Sequence, residues 1–482
     1  MIPTSTEAPA STGDGAAHRS EAGAALRRRA RDARDARGER RFRRALLVIV
    51  VILAAACAGF AVLGIVQGPR LSSLRVDEVA VTEQPGQQLR IFANQAIAQL
   101  DASQVTIDPA VPHSVAVSGD VIAITFERAL RYDTEYTVRI DGVTSPYVSI
   151  QSTVTAEFTT AKVDAWLLAR GVPDDVIVRT TLSGDRAQQY VGTRIQSFAV
   201  LKDALAIATV DGDHLSTLSL TSLDGLHSEQ LPLPAGTSLR GLAVNPAGTV
   251  LGFQLTSLVA TSGADEVAPD TLYLVDLEAG RTLVPVTGLD GAPLRALHWQ
   301  FAPDGGILAV TNEGMLTRIG TDGTAVPLGR VDGLGAIGPD GQHVVVSDSD
   351  GVAVLDLVSG SRTPFAIDGL GERVPILDTA ELAGDGSVVL VAITANRSGV
   401  TSELLVAGDG DARVVFSTDG SIAGFSVSPN GQYAAVALVP DVSVADSDGY
   451  GAEAMATTVQ TVFVDLETGQ EVARMSGFDL QW

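Results

Sequence analysis

Cysteine is all but missing: Cys57 is the only one in 482 residues, so no disulfide can form within the chain and dithiol redox chemistry is excluded. Lysine is nearly as scarce, with only Lys162 and Lys202, so arginine carries the positive charge. The six histidines (His18, His113, His214, His227, His298 and His343) are scattered. They form no H-x-H or H-E-x-x-H pattern and have no cysteine to join them, which argues against zinc. Also missing are a G-x-S-x-G nucleophile elbow, an S-x-x-K pair, a Walker A loop and the dinucleotide-binding glycine fingerprint. No residue stands out as catalytic, cofactor-binding or metal-binding. The expectation is a chain that is not an enzyme and needs no cofactor.

The charge is lopsided. A formal −24 divides into +5 over residues 1–44 and −29 over everything after them. An acidic body of that size repels phosphate backbones, so no nucleic-acid partner is expected. The basic end consists of ten arginines between Arg27 and Arg44, preceded by a Ser, Thr, Ala and Gly-rich stretch that reads as disordered.

Directly after the arginines, Ala45 to Val66 reads ALLVIVVILAAACAGFAVLGIV, 22 residues without a charge. At 1.5 Å per residue that covers the roughly 30 Å of a bilayer core. Only Arg70 and Arg75 lie comparably close on the other side. The positive-inside rule therefore puts residues 1–44 in the cytoplasm and the C-terminal part outside the cell. Ala54-Ala55-Ala56-Cys57 resembles a lipobox only faintly, because Ala54 stands where leucine is usual and the apolar run continues past Cys57. The expected organisation is a tail over 1–44, a transmembrane helix over 45–67, and extracytoplasmic domains over 68–162 and 163–482.

From 68 to 162 short β-rich pieces alternate with turn residues, the spacing of a β-sandwich. Ser118-Gly119-Asp120 marks a tight hairpin, and Leu130-Arg131-Tyr132-Asp133-Thr134-Glu135-Tyr136-Thr137-Val138 looks like the approach to a strand with a corner tyrosine tied back to the backbone. With VTIDPAVPHSVAVSGDVIAITFERALRYDTEYTVRI and the closing AEFTT, this stretch resembles the bacterial Ig-like domains of S-layer and other surface proteins. That resemblance implies surface display as a spacer or adhesive module.

One turn recurs through 163–482: Asn245-Pro246-Ala247-Gly248, Ala302-Pro303-Asp304-Gly305, Gly338-Pro339-Asp340-Gly341, Ala383-Gly384-Asp385-Gly386 and Ser428-Pro429-Asn430-Gly431. Proline presets φ, Asp or Asn tolerates the next position, and glycine takes the left-handed one. A second turn follows in each unit, as in Asp276 to Arg281, Asp356 to Gly360 and Asp465 to Gly469. Two turns per unit of about 45 residues mean four strands, the pattern of a propeller blade. The alternation resembles the WD40-like and TolB-like propellers. Six blades open near Ile195, Leu239, Leu294, Gly335, Leu377 and Ile422. A seventh would join Val176–Asp185 to Phe478–Trp482, although it lacks one recognisable strand, so six and seven both remain open.

The whole reads as an all-β protein behind one membrane helix, a single-pass surface protein that binds or scaffolds a protein or an envelope polymer. Two alternatives stand beside it: an enzyme with acidic residues gathered in the propeller channel, and a receptor signalling through Arg27–Arg44. Insertions at Thr256–Asp270 and Pro440–Gln460 fall between second and third strands, which puts both on one face. That face is the expected docking surface. Asp446-Ser447-Asp448-Gly449 within the later insertion lacks the carboxylates of a calcium loop and reads as turn chemistry.

Overall fold

The computed structural model describes residues 45–59, 68–171, 173–259, 267–396, 399–408, 410–451 and 453–482. Residues 45–59 are helical and exposed. Among the described residues no helix is long and apolar enough to cross a membrane. The expected span over 45–67 runs on into 60–67, outside the described residues.

Seven strands follow: β1 (Leu71–Arg75), β2 (Gln88–Ala93), β3 (Val105–Asp108), β4 (His113–Ser118), β5 (Val121–Phe126), β6 (Glu135–Ser145) and β7 (Val148–Thr159). They form an antiparallel sheet in the order β1-β2-β5-β4 and a second in the order β3-β6-β7. Alternation places Leu89 and Ile91 of β2 and Ile122, Ile124 and Phe126 of β5 on the inner face. They share one core with Tyr136, Val138 and Ile140 from β6. Ser118 pairs with Val121 across a two-residue turn, and Gly119 takes φ 64° there, as the first central residue of such a hairpin requires. The Tyr136 hydroxyl accepts the Arg131 N–H at 3.1 Å, the tie expected of a corner tyrosine.

Seven four-stranded antiparallel sheets occupy 165–481 among the described residues. Six are continuous in sequence, with inner strands Ile195–Val200, Thr237–Val244, Ala296–Phe301, Gly333–Ile337, Val374–Leu382 and Ser421–Val427 for blades 1 to 6. Blade 7 joins the chain's two ends: Phe478–Gln481 is its inner strand and pairs with Ala165–Ala169, with Phe478 opposite Leu168 and Gln481 opposite Trp166. The open choice of blade number is thereby resolved at seven. The strand that seemed missing is Ala165–Ala169, whose residues are nearly all buried. Each seam between neighbouring blades has its own apolar cluster, such as Phe198 and Ile207 against Trp166 and Leu168, or Leu308 and Leu316 against Val344 and Leu355. Trp299 and Phe301, in T-shaped contact at 5.3 Å, belong to the seam between blades 2 and 3. Gly252 leaves room for that indole, since a Cβ there would come within 2.3 Å of the Trp299 ring.

The sandwich sits on the end of the ring formed by first-to-second and third-to-fourth turns. Arg131 pairs with Asp465 and Glu467. Gln432 Nε2 donates to Ala129 O at 2.6 Å, and Tyr132 packs on Tyr433 within a cluster that includes Leu167 and Phe463. The opposite end of the sandwich receives the chain from residue 68: Arg70 N–H donates to Asn94 Oδ1 at 2.8 Å, and Ser152 donates to Pro69 O at 2.6 Å. A six-residue strand is roughly 20 Å long, so the sandwich separates the two attachments by about its own length.

Around the channel, amide side chains clip one blade to the next. Gln300 Nε2 donates to Gly335 O at 2.8 Å while its Oε1 accepts Ile337 N–H at 3.2 Å. Gln481 does the same with Phe198 O and Val200 N–H, and Gln196 and Gln254 reach Leu239 O and Ala296 O. Blade 5 has Glu381 instead, whose Oε2 accepts Val427 N–H at 2.9 Å. Burial pushes its carboxyl up to about 7, against the pull of that N–H. Between its ordinary value of 4.5 and about 7 the folded state keeps a proton that the unfolded chain has released. Stability therefore falls as pH rises through that window and levels off above it. At about 1.4 kcal/mol per unit, the loss amounts to roughly 3 kcal/mol. Glu381→Gln, which supplies the amide used in other blades, is expected to match the wild type at pH 4.5 and to exceed it in Tm increasingly up to pH 7.5. Thermal denaturation across that range checks this, and a gap independent of pH would contradict it.

Candidate functional site

Residues 440–451 and 453–459 of the later insertion lie over the end of the ring opposite the sandwich, on the face expected to dock a partner, and are held down on it. Arg170, just after the second strand of blade 7, holds them there. Its Nη1 meets Asp448 Oδ2 at 2.5 Å and Glu453 O at 2.9 Å, its Nε donates to Ile195 O at 3.0 Å, and its Nη2 to Gln196 O at 2.6 Å. The guanidinium lies 3.7 Å from the Tyr450 ring centroid and 4.7 Å from that of Phe478. The Tyr450 hydroxyl donates to Asp175, whose carboxylate also accepts Gly171 N–H and Ile195 N–H. Asp448 Oδ1 meanwhile accepts Tyr450 N–H and Met455 N–H. The Asp446–Gly449 turn thus serves as the anchor of the loop. Among the described residues no group of three or more His, Cys, Asp or Glu could hold a metal.

The two insertions do share a face. Glu453 Oε1 accepts Gly241 N–H at 2.7 Å, and the neighbouring Arg240 pairs with Asp270 at 2.9 Å. Both loops therefore meet on the inner strand of blade 2. Residues 260–266 of the earlier insertion lie outside the described residues.

Beneath the pinned loop, where blades 6 and 7 meet the channel, lies a cavity of about 390 Å³. Ala423–Ser426, Ala435, Ala437 and Thr461 of blade 6 form one wall, Phe478–Leu480 of blade 7 another, and Glu453–Met455 the cover. Two carboxylates enter it. Asp479 has φ 52°, in the left-handed region, beside a break in the strand register between Phe478 and Gln481. Its Oδ2 is buried with no hydrogen-bond partner. Burial, reinforced by the nearby Glu453 charge, pushes the Asp479 carboxyl up to about 7, with Arg170 and the Phe198 backbone pulling the other way. Burial also raises Glu453, opposed by Gly241 N–H, Arg170, Ser197 and Arg240. Both carboxyls line the same cavity, and burial favours the protonated form of each. Arg170, Glu453 and Asp479 went unseen in the sequence. The one signal was an acidic residue two places before Gln481, at an inner-strand position.

The fold class is a seven-bladed propeller. No family model matches the chain, and none of the curated proteins matches it. Solved structures do. It is similar to TolB from Acinetobacter baumannii (12% identity, 79% of this chain and 83% of that one, TM-score 0.35). It is also similar to the propeller domain of the trilobed protease from Pyrococcus furiosus (13%, 64% and 93%, TM-score 0.41). An oligogalacturonate lyase in complex with manganese is a third (11%, 66% and 86%, TM-score 0.42). The expectation that the chain is not an enzyme is corrected at this point: an enzyme, the lyase, stands among the similar structures, so this fold does not exclude catalysis.

Side chains of Arg170 and Asp448 are only 6% and 7% exposed. Removing one partner from such a buried pair costs about 3–5 kcal/mol, because the other charge stays behind unpaired. Arg170→Leu is expected to lose that much stability and to open residues 440–459 to limited proteolysis. Asp448→Ala combined with it should cost clearly less than the two single losses together, as a double-mutant cycle on denaturation would read.

Proposed function

We propose that the chain is a single-pass membrane protein, carrying its propeller outside the cell on an Ig-like stalk. In this reading the propeller captures a protein or an envelope polymer through the channel cavity on its outward face. The carrying observation is the opposition of attachments. The chain arrives from the apolar segment at one end of the sandwich, beside Pro69 and Arg70, and the propeller is fixed at the other, beside Ala129–Tyr132. The cavity and both insertions lie on the ring face away from the sandwich, so a ligand approaching from outside meets them first. Support for the anchor comes from the 22 apolar residues of Ala45–Val66 and from the arginines crowded on one side of them. Support for the Ig-like relationship comes from the strand orders β1-β2-β5-β4 and β3-β6-β7, which correspond to the ABED and CFG sheets of a constant-type immunoglobulin domain, and from the Tyr136 tie.

A second reading, acid–base catalysis on the captured ligand, is favoured by the Glu453 and Asp479 pair. It uses the same cavity and the same outward face.

Single cysteines introduced by Ser361→Cys in the propeller and Ser11→Cys in the tail test the arrangement, with Cys57 replaced by alanine. A membrane-impermeant maleimide should label Ser361→Cys on intact cells and Ser11→Cys only after lysis. The reverse pattern, or equal labelling of both, would overturn the topology.

A further inference from the structure

We infer that the channel cavity takes the cationic end of its ligand, a protonated amine received by Asp479 and Glu453, with an apolar body lying against Phe425, Phe478 and Met455. The inference rests on the reading of this cavity as the binding site. Three observations carry it.

The first is an acceptor without a donor. Asp479 Oδ2 is buried, lines the cavity and has no hydrogen-bond partner. A carboxylate oxygen in that position is costly unless something supplies an N–H or O–H to it.

The second is that the cations nearby are already committed. Three nitrogens of Arg170 are taken up by Asp448 and by the carbonyls of Glu453, Ile195 and Gln196. Arg240 is paired with Asp270 through Nη2, which leaves its buried Nε without a partner. Of the groups around the carboxylate pair, Arg194 lies over the outer Tyr450 ring, and Asp175 is occupied by Tyr450, Gly171 and Ile195. The negative charge of Glu453 and Asp479 is left for a ligand or a proton to neutralise.

The third is the remaining lining. Ala423, Gly424, Phe425, Ala435, Ala437, Met455, Phe478 and Leu480 offer no side-chain hydrogen bond. Ser426 already accepts the Trp482 indole N–H at 3.1 Å, and Thr461 donates to Gly477 O at 2.8 Å. A polyhydroxylated ligand would bury hydroxyls with few partners, whereas an ammonium on a hydrocarbon body has its charge met and its carbon packed. The ammonium takes the place of the proton that burial keeps on Asp479, and that proton leaves to solvent. Binding therefore strengthens as pH rises to neutrality.

Isothermal titration of the full chain in nanodiscs with hexylammonium tests this, with hexanol as the neutral probe and empty nanodiscs giving the lipid background. Saturable binding of hexylammonium is expected, tightening up to tenfold per pH unit between pH 5 and 7 and levelling above. Its heat should differ between buffers of different ionisation enthalpy, reporting the released proton. Asp479→Asn should weaken binding at least tenfold and flatten the pH profile, and Glu453→Gln should weaken it with part of the profile retained. Equal affinity for hexanol, or a profile that is flat in the wild type, would overturn the cationic assignment. Ala437→Phe, which fills the cavity, separates this failure from that of the site. If oligosaccharide fragments of the envelope bind and Ala437→Phe abolishes their binding, the cavity stands and the amine falls. If the wild type binds hexylammonium no better than Ala437→Phe does, the cavity itself is wrong.

Discussion

The pairing of Phe478 with Leu168 and of Gln481 with Trp166 is the contact on which the rest depends. Six blades are made from continuous stretches and need only local hairpins, but a ring of seven has no stable form until its first and last sheets meet. Without blade 7 one face of the blade 1 sheet and one face of the blade 6 sheet would each leave an apolar seam open to water. The same strand sets up the site: Asp479 lies between the two paired positions, where the register slips and its backbone takes φ 52°. Closing the ring and supplying the channel with a carboxylate are one structural act.

Arg170 extends that dependence outward. It stands at the end of the strand that Phe478–Gln481 pairs with, stacks on Phe478 and Tyr450, and holds Asp448. The insertion is thus fixed by blade 7, although it is an outgrowth of blade 6. That explains how a segment of nearly twenty residues with little regular structure stays down on the ring. It is fastened at Asp448, at Tyr450 and at Glu453, whose Oε1 reaches Gly241 three seams away.

Much of the architecture was legible in the sequence, because propeller turns are chemically explicit. Pro, Asp or Asn, and Gly recur at the reversals, and the first strands begin within three residues of the positions read from them. Ala165–Ala169 escaped notice because AWLLA is buried on both faces and so lacks the alternation that marks a half-exposed strand. The site was illegible for a different reason. Arg170 is 278 positions from Asp448, and nothing local distinguishes either from an ordinary surface charge. Length betrayed the 440–460 insertion, but its direction did not follow from length. It folds inward because a buried arginine waits for it, a fact available only once blades 6 and 7 are neighbours.

Ring closure also bears on how the protein comes to exist. Leu168 is synthesised 310 residues before Phe478, its partner in blade 7. A chain emerging N-terminus first would deliver six blades in turn, each able to stack on the one before, and would have to keep the first of them open until the last strand emerged. The final strand acts as a latch: a protease that trims it away leaves the ring open and removes Asp479 from the channel. The state of that one seam would then distinguish a finished molecule from an interrupted one.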